Sequence, residues 1–266
     1  MESISTKNAE RFKGFADIYD CARPTMPDYP VRIIKGYLNK KPETVIDLGC
    51  GTGLSTTIWQ NNCVKVIGVE PSEDMLKIAK TKEKGNMSFI KGYSHEIGVK
   101  ENSVDVVVCS QSFHWMEPVS TLKEINRILK NNGVFATIDC DWPPVFNWQV
   151  EKVYMEMFNK VHEIEYTHRN LKDSFSCYDK NQHLANIKNS GYFRFSREIV
   201  FSNSEPCTAK RLVDLTLSQG SLQSILKNEP SLIECDVKNF QVLVDETYGQ
   251  NKFEIEFSYR LRLGVK

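Results

Sequence analysis

The last strand-like stretch, Phe253-Glu-Ile-Glu-Phe-Ser-Tyr-Arg-Leu-Arg-Leu263, alternates apolar and polar residues without a miss. A period of two puts one side on a core and the other toward solvent, as on an antiparallel strand near a sheet edge. The first half of the chain has a different texture. Short apolar runs at Thr44–Leu48, Lys65–Glu70, Met87–Lys91, Val104–Cys109 and Val134–Asp139 read as five strands. The fourth, Val104-Asp-Val-Val-Val-Cys109, is apolar enough to be covered on both faces. Segments of helical spacing separate them: Pro30–Leu38, about Leu54 to Asn61, a helix capped by Ser72 with Glu73 and Asp74 in its first turn, and Pro118–Leu129. Asn131-Asn-Gly133 ends the last of these. Strands alternating with helices over short loops predict a parallel sheet with helices on both faces and right-handed crossovers.

After Asp139 the rhythm changes. Trp142-Pro-Pro144 is a turn, and residues 146–170 are helical, with Val150, Val153, Tyr154, Met157, Phe158 and Val161 on one face. A second helix is expected over 178–190, a strand over Phe193–Phe201, and largely helical chain over 207–247. At the other end, Phe12, Phe15, Ile18 and Tyr19 have helical spacing, and the proline-broken stretch Arg23–Pro30 follows. The expected fold class is α/β: a doubly wound, mostly parallel, seven-stranded Rossmann-like sheet with an antiparallel last strand and a helical cap. One domain is expected. Its core spans about 27–140, 192–203 and 252–265, with an N-terminal lid over 1–26 and cap insertions over 141–190 and 205–248.

Composition narrows the partners. Lys plus Arg equals Asp plus Glu at 34 each, which argues against a dedicated nucleic-acid binder. Eight cysteines include no Cys-x-x-Cys pair, so they read as free thiols of a reducing cytoplasm. The first residues are polar and no run of about 18 apolar residues occurs, so neither a signal peptide nor a membrane span is expected. His162, His168 and His183 lack metal-ligand spacing and read as surface or structural; no metal is expected.

The candidate chemistry centres on Thr44-Val-Ile-Asp-Leu-Gly-Cys-Gly-Thr-Gly-Leu54. Its glycines are spaced two apart, unlike the Gly-x-Gly-x-x-Gly of dinucleotide sites. No Lys-Ser/Thr pair follows, so it is not a phosphate-cradling loop. Gly49, Gly51 and Gly53 at a strand-to-helix junction let backbone pass close to a ligand; the bland alternative is a ligand-free turn. Glu70 ends the second strand, on the sheet edge where open parallel sheets bind ligands. A carboxylate there accepts both hydroxyls of a ribose, each bond being worth about 1.5–3 kcal/mol. The residues themselves point to a nucleoside at the strand ends.

Asp47-Leu-Gly-Cys-Gly-Thr-Gly53, together with Gly-Val-Glu70-Pro-Ser, resembles the S-adenosylmethionine-dependent class I methyltransferases. Gly92-Tyr-Ser-His-Glu-Ile97, Asn102-Ser-Val-Asp105 and Ser110-Gln-Ser-Phe-His-Trp115 continue the likeness. Ala16-Asp-Ile-Tyr-Asp-Cys-Ala-Arg-Pro24 and Phe257–Gly264 are similar to the small-molecule branch, which includes trans-aconitate methyltransferase-like proteins. The resemblance implies S-adenosyl-L-methionine as cofactor and S-adenosyl-L-homocysteine as product. It implies that Asp47, Gly49, Cys50 and Gly51 face the methionine part and Glu70 holds the ribose. Pro71 or Ser72 would flank the adenine, and Tyr93 and Ser94 would sit at its edge. Tyr93 and His95 depart from the family pattern at their positions. Gln111 would lie near the amino-acid moiety, and Tyr19 and Arg23 would close over the site, where a guanidinium suits the cofactor carboxylate.

The acceptor side is more open. His114 is the candidate catalytic base for a hydroxyl or amine acceptor, or else it walls the pocket. Trp115 and Trp142 are candidate substrate contacts, whereas Trp148 is expected in the core. Asp139 and Asp141 either touch the acceptor or are solvated turn acids. The expected activity is methyl transfer to a small-molecule acceptor, at a carboxylate or hydroxyl oxygen, by a monomer or homodimer with no nucleic-acid or membrane partner. Alternatives are a tRNA or protein target, or S-adenosylmethionine binding without catalysis.

Overall fold

The computed structural model describes residues 23–168 and 177–266. Helix α1 (Asp28–Leu38) precedes strand β1 (Thr44–Leu48). Then come β2 (Lys65–Glu70), α2 (Glu73–Thr81), β3 (Met87–Lys91), β4 (Val104–Ser110), α3 (Pro118–Ile128) and β5 (Leu129–Cys140). The second half holds α4 (Trp148–Thr167), α5 (His183–Asn189), β6 (Phe195–Cys207), α6 (Ala209–Leu217), α7 (Gly220–Asn228), α8 (Glu234–Tyr248) and β7 (Phe253–Val265). The seven strands form one sheet in the order β3-β2-β1-β4-β5-β7-β6. The alternating strand at the end, β7, is the antiparallel member, inserted between β5 and β6 and paired to both. The fold class expected from the sequence is the one observed.

Alternation across the sheet divides its core in two. Val45, Val106 and Val134 pack on one face with Val150, Tyr154 and Phe240. Ile46, Val107 and Phe135 pack on the other with Ile125 and Ile187. Successive residues of one strand thus serve opposite faces. The cluster on the first face runs unbroken from the sheet into α4 and α8, so these helices share the sheet's core.

One helical expectation between strands needs correction. Leu54–Asn61 is not a helix; a single 3-10 turn at Thr56–Trp59 replaces it. Ser55 and Thr56 are poor helix formers, and here their hydroxyls bond to Asp47. No helix lies between β3 and β4 among the described residues. A further correction concerns Trp148. It is 69% exposed, not core. The buried stripe of α4 is Val150, Tyr154, Met157, Val161 and Ile164, and a residue two places before Val150 lies about 200° round the helix, on the opposite side. The Asn131–Gly133 turn survives as a break in pairing, which jumps from Leu129 to Val134 against β4.

Candidate functional site

The strand order reverses between β1 and β4, leaving a crevice outside their C-terminal ends. The glycine turn forms its floor. Gly49, Gly51 and Gly53 have φ of 69°, 56° and 84°, the left-handed region that favours glycine. A Cβ on Gly49 would lie 2.7 Å from Met116 and Ser112, and one on Gly53 would lie 2.7 Å from the Phe89 ring. A Cβ on Gly51 would meet nothing within 4 Å. Two of the glycines therefore allow close packing, and the middle one turns bare backbone to the crevice.

Glu70 fixes this turn. The Gly51 N–H donates to its Oε2 and the Ser72 N–H to its Oε1, both at 2.9 Å. Ser72 is thus the N-cap residue of α2 but makes no side-chain cap bond; the carboxylate of Glu70 takes the Ser72 N–H instead. Each carboxylate oxygen keeps acceptor capacity for a ligand hydroxyl. Burial pushes Glu70 up to about 7, against the pull of the two backbone bonds. Asp47 lies behind the turn, fully buried, and does not line the crevice. Its Oδ2 accepts the Ser55 and Thr56 hydroxyls at 2.7 Å each, and its Oδ1 has no partner among the described residues. Burial raises it to about 6.

The crevice encloses about 1220 Å³ out to its mouth. Glu70, Pro71, Tyr93 and Ser94 line one end, and Gln111, Trp115, Trp142 and Arg23 line the other. Gly49, Cys50 and Gly51 line it between them. His95, next to Tyr93, is exposed. Gln111 adopts a left-handed φ of 54°, and its Nε2 is buried without a partner, as is the hydroxyl of Thr52, another lining residue. Unpaired polar atoms, glycine backbone and a carboxylate with spare lone pairs suit a ligand carrying hydroxyls and other polar groups. Tyr19, expected over this site, lies outside the described residues.

A second cavity of about 1330 Å³ adjoins the first, and Arg23, Gln111, Trp115 and Trp142 line both. His114, Tyr154, Phe158 and Lys180 complete much of its wall. The His114 ring lies 4.6 Å from that of Trp115, tilted by 50°, and its Nδ1 is 4.0 Å from Asp139 Oδ1. Asp139 is neither a solvated turn acid nor a lining residue. It is buried, and Oδ2 takes a bond from His183 Nδ1 and one from Arg262, each at 3.0 Å. Burial alone would raise its pKa, but His183, Lys180 and His114 together hold it below the usual carboxylate range. Asp141 is partly exposed and pairs with Arg260 at 3.0 Å. His183 is structural, as expected, while His162 is largely exposed. The residues that sequence reasoning missed are Lys180, brought to Gln111 from 69 positions away, and Arg262, whose buried guanidinium looked like the polar side of an alternating strand. No group of three or more metal-ligating side chains occurs among the described residues.

Residues 46–137 match a methyltransferase domain family. An uncharacterised methyltransferase of Schizosaccharomyces pombe is 28% identical over 254 residues, covering 89% of this chain and 95% of the relative. A Saccharomyces cerevisiae protein named as a probable S-adenosylmethionine-dependent methyltransferase is 30% identical over 44% of this chain and 43% of its own length. The match to a Mycobacterium tuberculosis relative likewise spans 44% of that protein's length. Among solved structures, a methyltransferase from Anaeromyxobacter dehalogenans, provisionally of type II, superposes with a TM-score of 0.66 over 91% of this chain and 97% of its own, at 15% identity. Residues 46–137 are thus similar to a methyltransferase domain, and the chain shares the fold of the solved methyltransferase. The cofactor in the name of the Saccharomyces cerevisiae relative is S-adenosylmethionine.

Proposed function

We propose that the protein transfers a methyl group from S-adenosylmethionine to a small-molecule acceptor, at a carboxylate or hydroxyl oxygen. The observation that carries this reading is the pair of adjoining cavities: one has nucleoside-compatible chemistry at the glycine turn, and the other is walled by aromatic and cationic side chains. Glu70 takes the ribose hydroxyls, Gly51 gives the backbone approach, and Tyr93, Ser94 and Pro71 border the adenine. Gln111 and Arg23 serve the amino-acid end. Asp47 acts from behind, shaping the turn through Ser55 and Thr56.

The bound cofactor supplies an electrophilic sulfonium methyl, which needs no further activation. The chain's part is orientation and exclusion of water. Trp115 and Trp142 border both cavities and so stand at the passage between them. A carboxylate acceptor needs no base, because its oxygen already carries the attacking pair. For a hydroxyl acceptor the departing proton goes to His114. Asp139, 4.0 Å from Nδ1, stabilises the imidazolium that then forms. Helix α4 with α6 to α8 acts as the cap that chooses the acceptor.

The test is a methyl-transfer screen with labelled S-adenosylmethionine against small acids, phenols and amines, beside calorimetry with S-adenosylhomocysteine. Binding in the micromolar range and label on an acid or phenol are expected. No heat with S-adenosylhomocysteine would sink the cofactor assignment; label on amines alone would sink the oxygen assignment.

A further inference from the structure

The second cavity has an uneven charge. Arg23, His114, His162 and Lys180 line it, and among the described residues no Asp or Glu does. Asp139 is beneath the wall and already engaged by Arg262 and His183. These basic side chains differ in what else they do. The guanidinium of Arg23 donates to the Ser218 carbonyl at 3.0 Å and lies 5.0 Å from the Trp142 ring centre. His162 faces Glu165 at 3.5 Å. Lys180 donates to Gln111 Oε1 at 2.8 Å and stands 3.8 Å from Asp139 Oδ1, with its side chain 32% exposed. An ammonium has three N–H groups in a tetrahedral array. One is held by Gln111, which fixes the head of the side chain at the junction of the two cavities; Asp139 at 3.8 Å pairs with the charge but lies beyond hydrogen-bond distance, so N–H groups remain to donate to a ligand. Around it stand apolar faces: Trp115, Trp142, Tyr154 and Phe158.

Taking the second cavity as the acceptor's, as in the reading above, we infer that Lys180 is its specificity residue. The ammonium takes an anionic oxygen group, carboxylate or phosphate, of an acceptor whose apolar body lies against Trp115, Trp142 and Phe158. A neutral acceptor of the same shape leaves Lys180 with only Asp139, 3.8 Å away and shared with Arg262 and His183, as counter-charge, and discrimination follows. Because Lys180 bonds to Gln111, which lines both cavities, the anchored group is set at a fixed position relative to the cofactor side.

The experiment uses the whole protein saturated with S-adenosylhomocysteine and titrates phenylacetate, phenyl phosphate and phenylacetamide by calorimetry. The wild type is expected to bind one or both anions at least about tenfold more tightly than the amide, and the tighter anion tells carboxylate from phosphate. Lys180→Met is expected to abolish that preference while still binding S-adenosylhomocysteine, and Lys180→Arg is expected to retain it. Equal binding of acid, phosphate and amide, binding of none of them, or an undiminished preference in Lys180→Met overturns the proposal. Absence of S-adenosylhomocysteine binding by the wild type strikes instead at the cofactor assignment, so the two failures are told apart.

Discussion

Glu70 has two tasks, and they pull its chemistry in opposite directions. As a brace it accepts two backbone N–H bonds, which favour the ionised form. As a buried group it resists ionisation, and burial wins, leaving it at about 7. Its folded pKa therefore lies above the ordinary value of 4.5. The linkage sign follows. Its stabilising contribution to the empty protein is complete below about pH 4.5 and is lost as pH rises through about 7. Scans of thermal midpoint against pH are expected to fall more steeply from pH 5 to 8 in the wild type than in Glu70→Gln; parallel curves would contradict the raised pKa. Ligand binding runs the other way, because the ionised carboxylate is the stronger acceptor of ribose hydroxyls. S-adenosylhomocysteine should bind more tightly at pH 8 than at pH 6. Glu70→Ala should weaken it by at least about tenfold, ~1.4 kcal/mol. His114 divides acceptors by chemistry. His114→Ala is expected to slow a hydroxyl acceptor by about a hundredfold or more and to leave a carboxylate acceptor nearly unchanged, read as kcat at saturating cofactor. Equal effects on both would reduce His114 to a wall residue.

Three glycines spaced two apart look interchangeable in the sequence, and the structure gives them different work. Gly53→Ala combines a φ of 84° with a Cβ 2.7 Å from Phe89, so a loss of about 1–3 kcal/mol in urea unfolding is expected. Gly51→Ala meets no neighbour and should cost only about 1 kcal/mol of left-handed strain. Its added methyl enters the crevice, however, so S-adenosylhomocysteine affinity should fall more than stability does. The reverse ranking would mean that the middle glycine serves packing alone. What was legible in the chain tracks the range of the forces involved. Strand alternation, the glycine turn and Glu70 are written in adjacent residues, because period and turn chemistry are local. The missing helix after the turn was not legible, since Ser55 and Thr56 are drawn to Asp47 through a contact that spacing does not announce. Trp148 was misplaced because a large aromatic suggests core, although its angle from Val150 on α4 already puts it outside. Lys180 and Arg262 belong to a class that no local pattern reveals. The first is ordinary in sequence and acquires meaning only when the turn before α5 brings it to Gln111, just past β4. The second sits at a polar position of an alternating strand, yet it is buried against Asp139 and Glu198.

At the scale of the whole molecule, the question is whether the helices beyond β5 are a separate unit laid over the sheet or part of one core. The hydrophobic cluster answers in favour of one core. Val150, Tyr154 and Met157 of α4 and Phe240 and Val244 of α8 pack continuously with Val45, Val106 and Val134 of the sheet. Strand β6, which the chain reaches only after α4, pairs with β7 along its whole length, and β7 in turn pairs with β5. Removing the helices would therefore strip one face of the sheet, and removing the outer strands would strip the helices. We expect a single cooperative transition in a calorimetric scan, with equal calorimetric and van't Hoff enthalpies. Saturating S-adenosylhomocysteine should move that transition upward as a whole, since a ligand held by the native state stabilises whatever unfolds with its site. At a hundred times its dissociation constant the stabilisation is about 2.7 kcal/mol. Two resolved transitions, with the ligand moving one and leaving the other in place, would show that the cap melts independently of the sheet and that the acceptor wall is built on a unit separate from the cofactor floor.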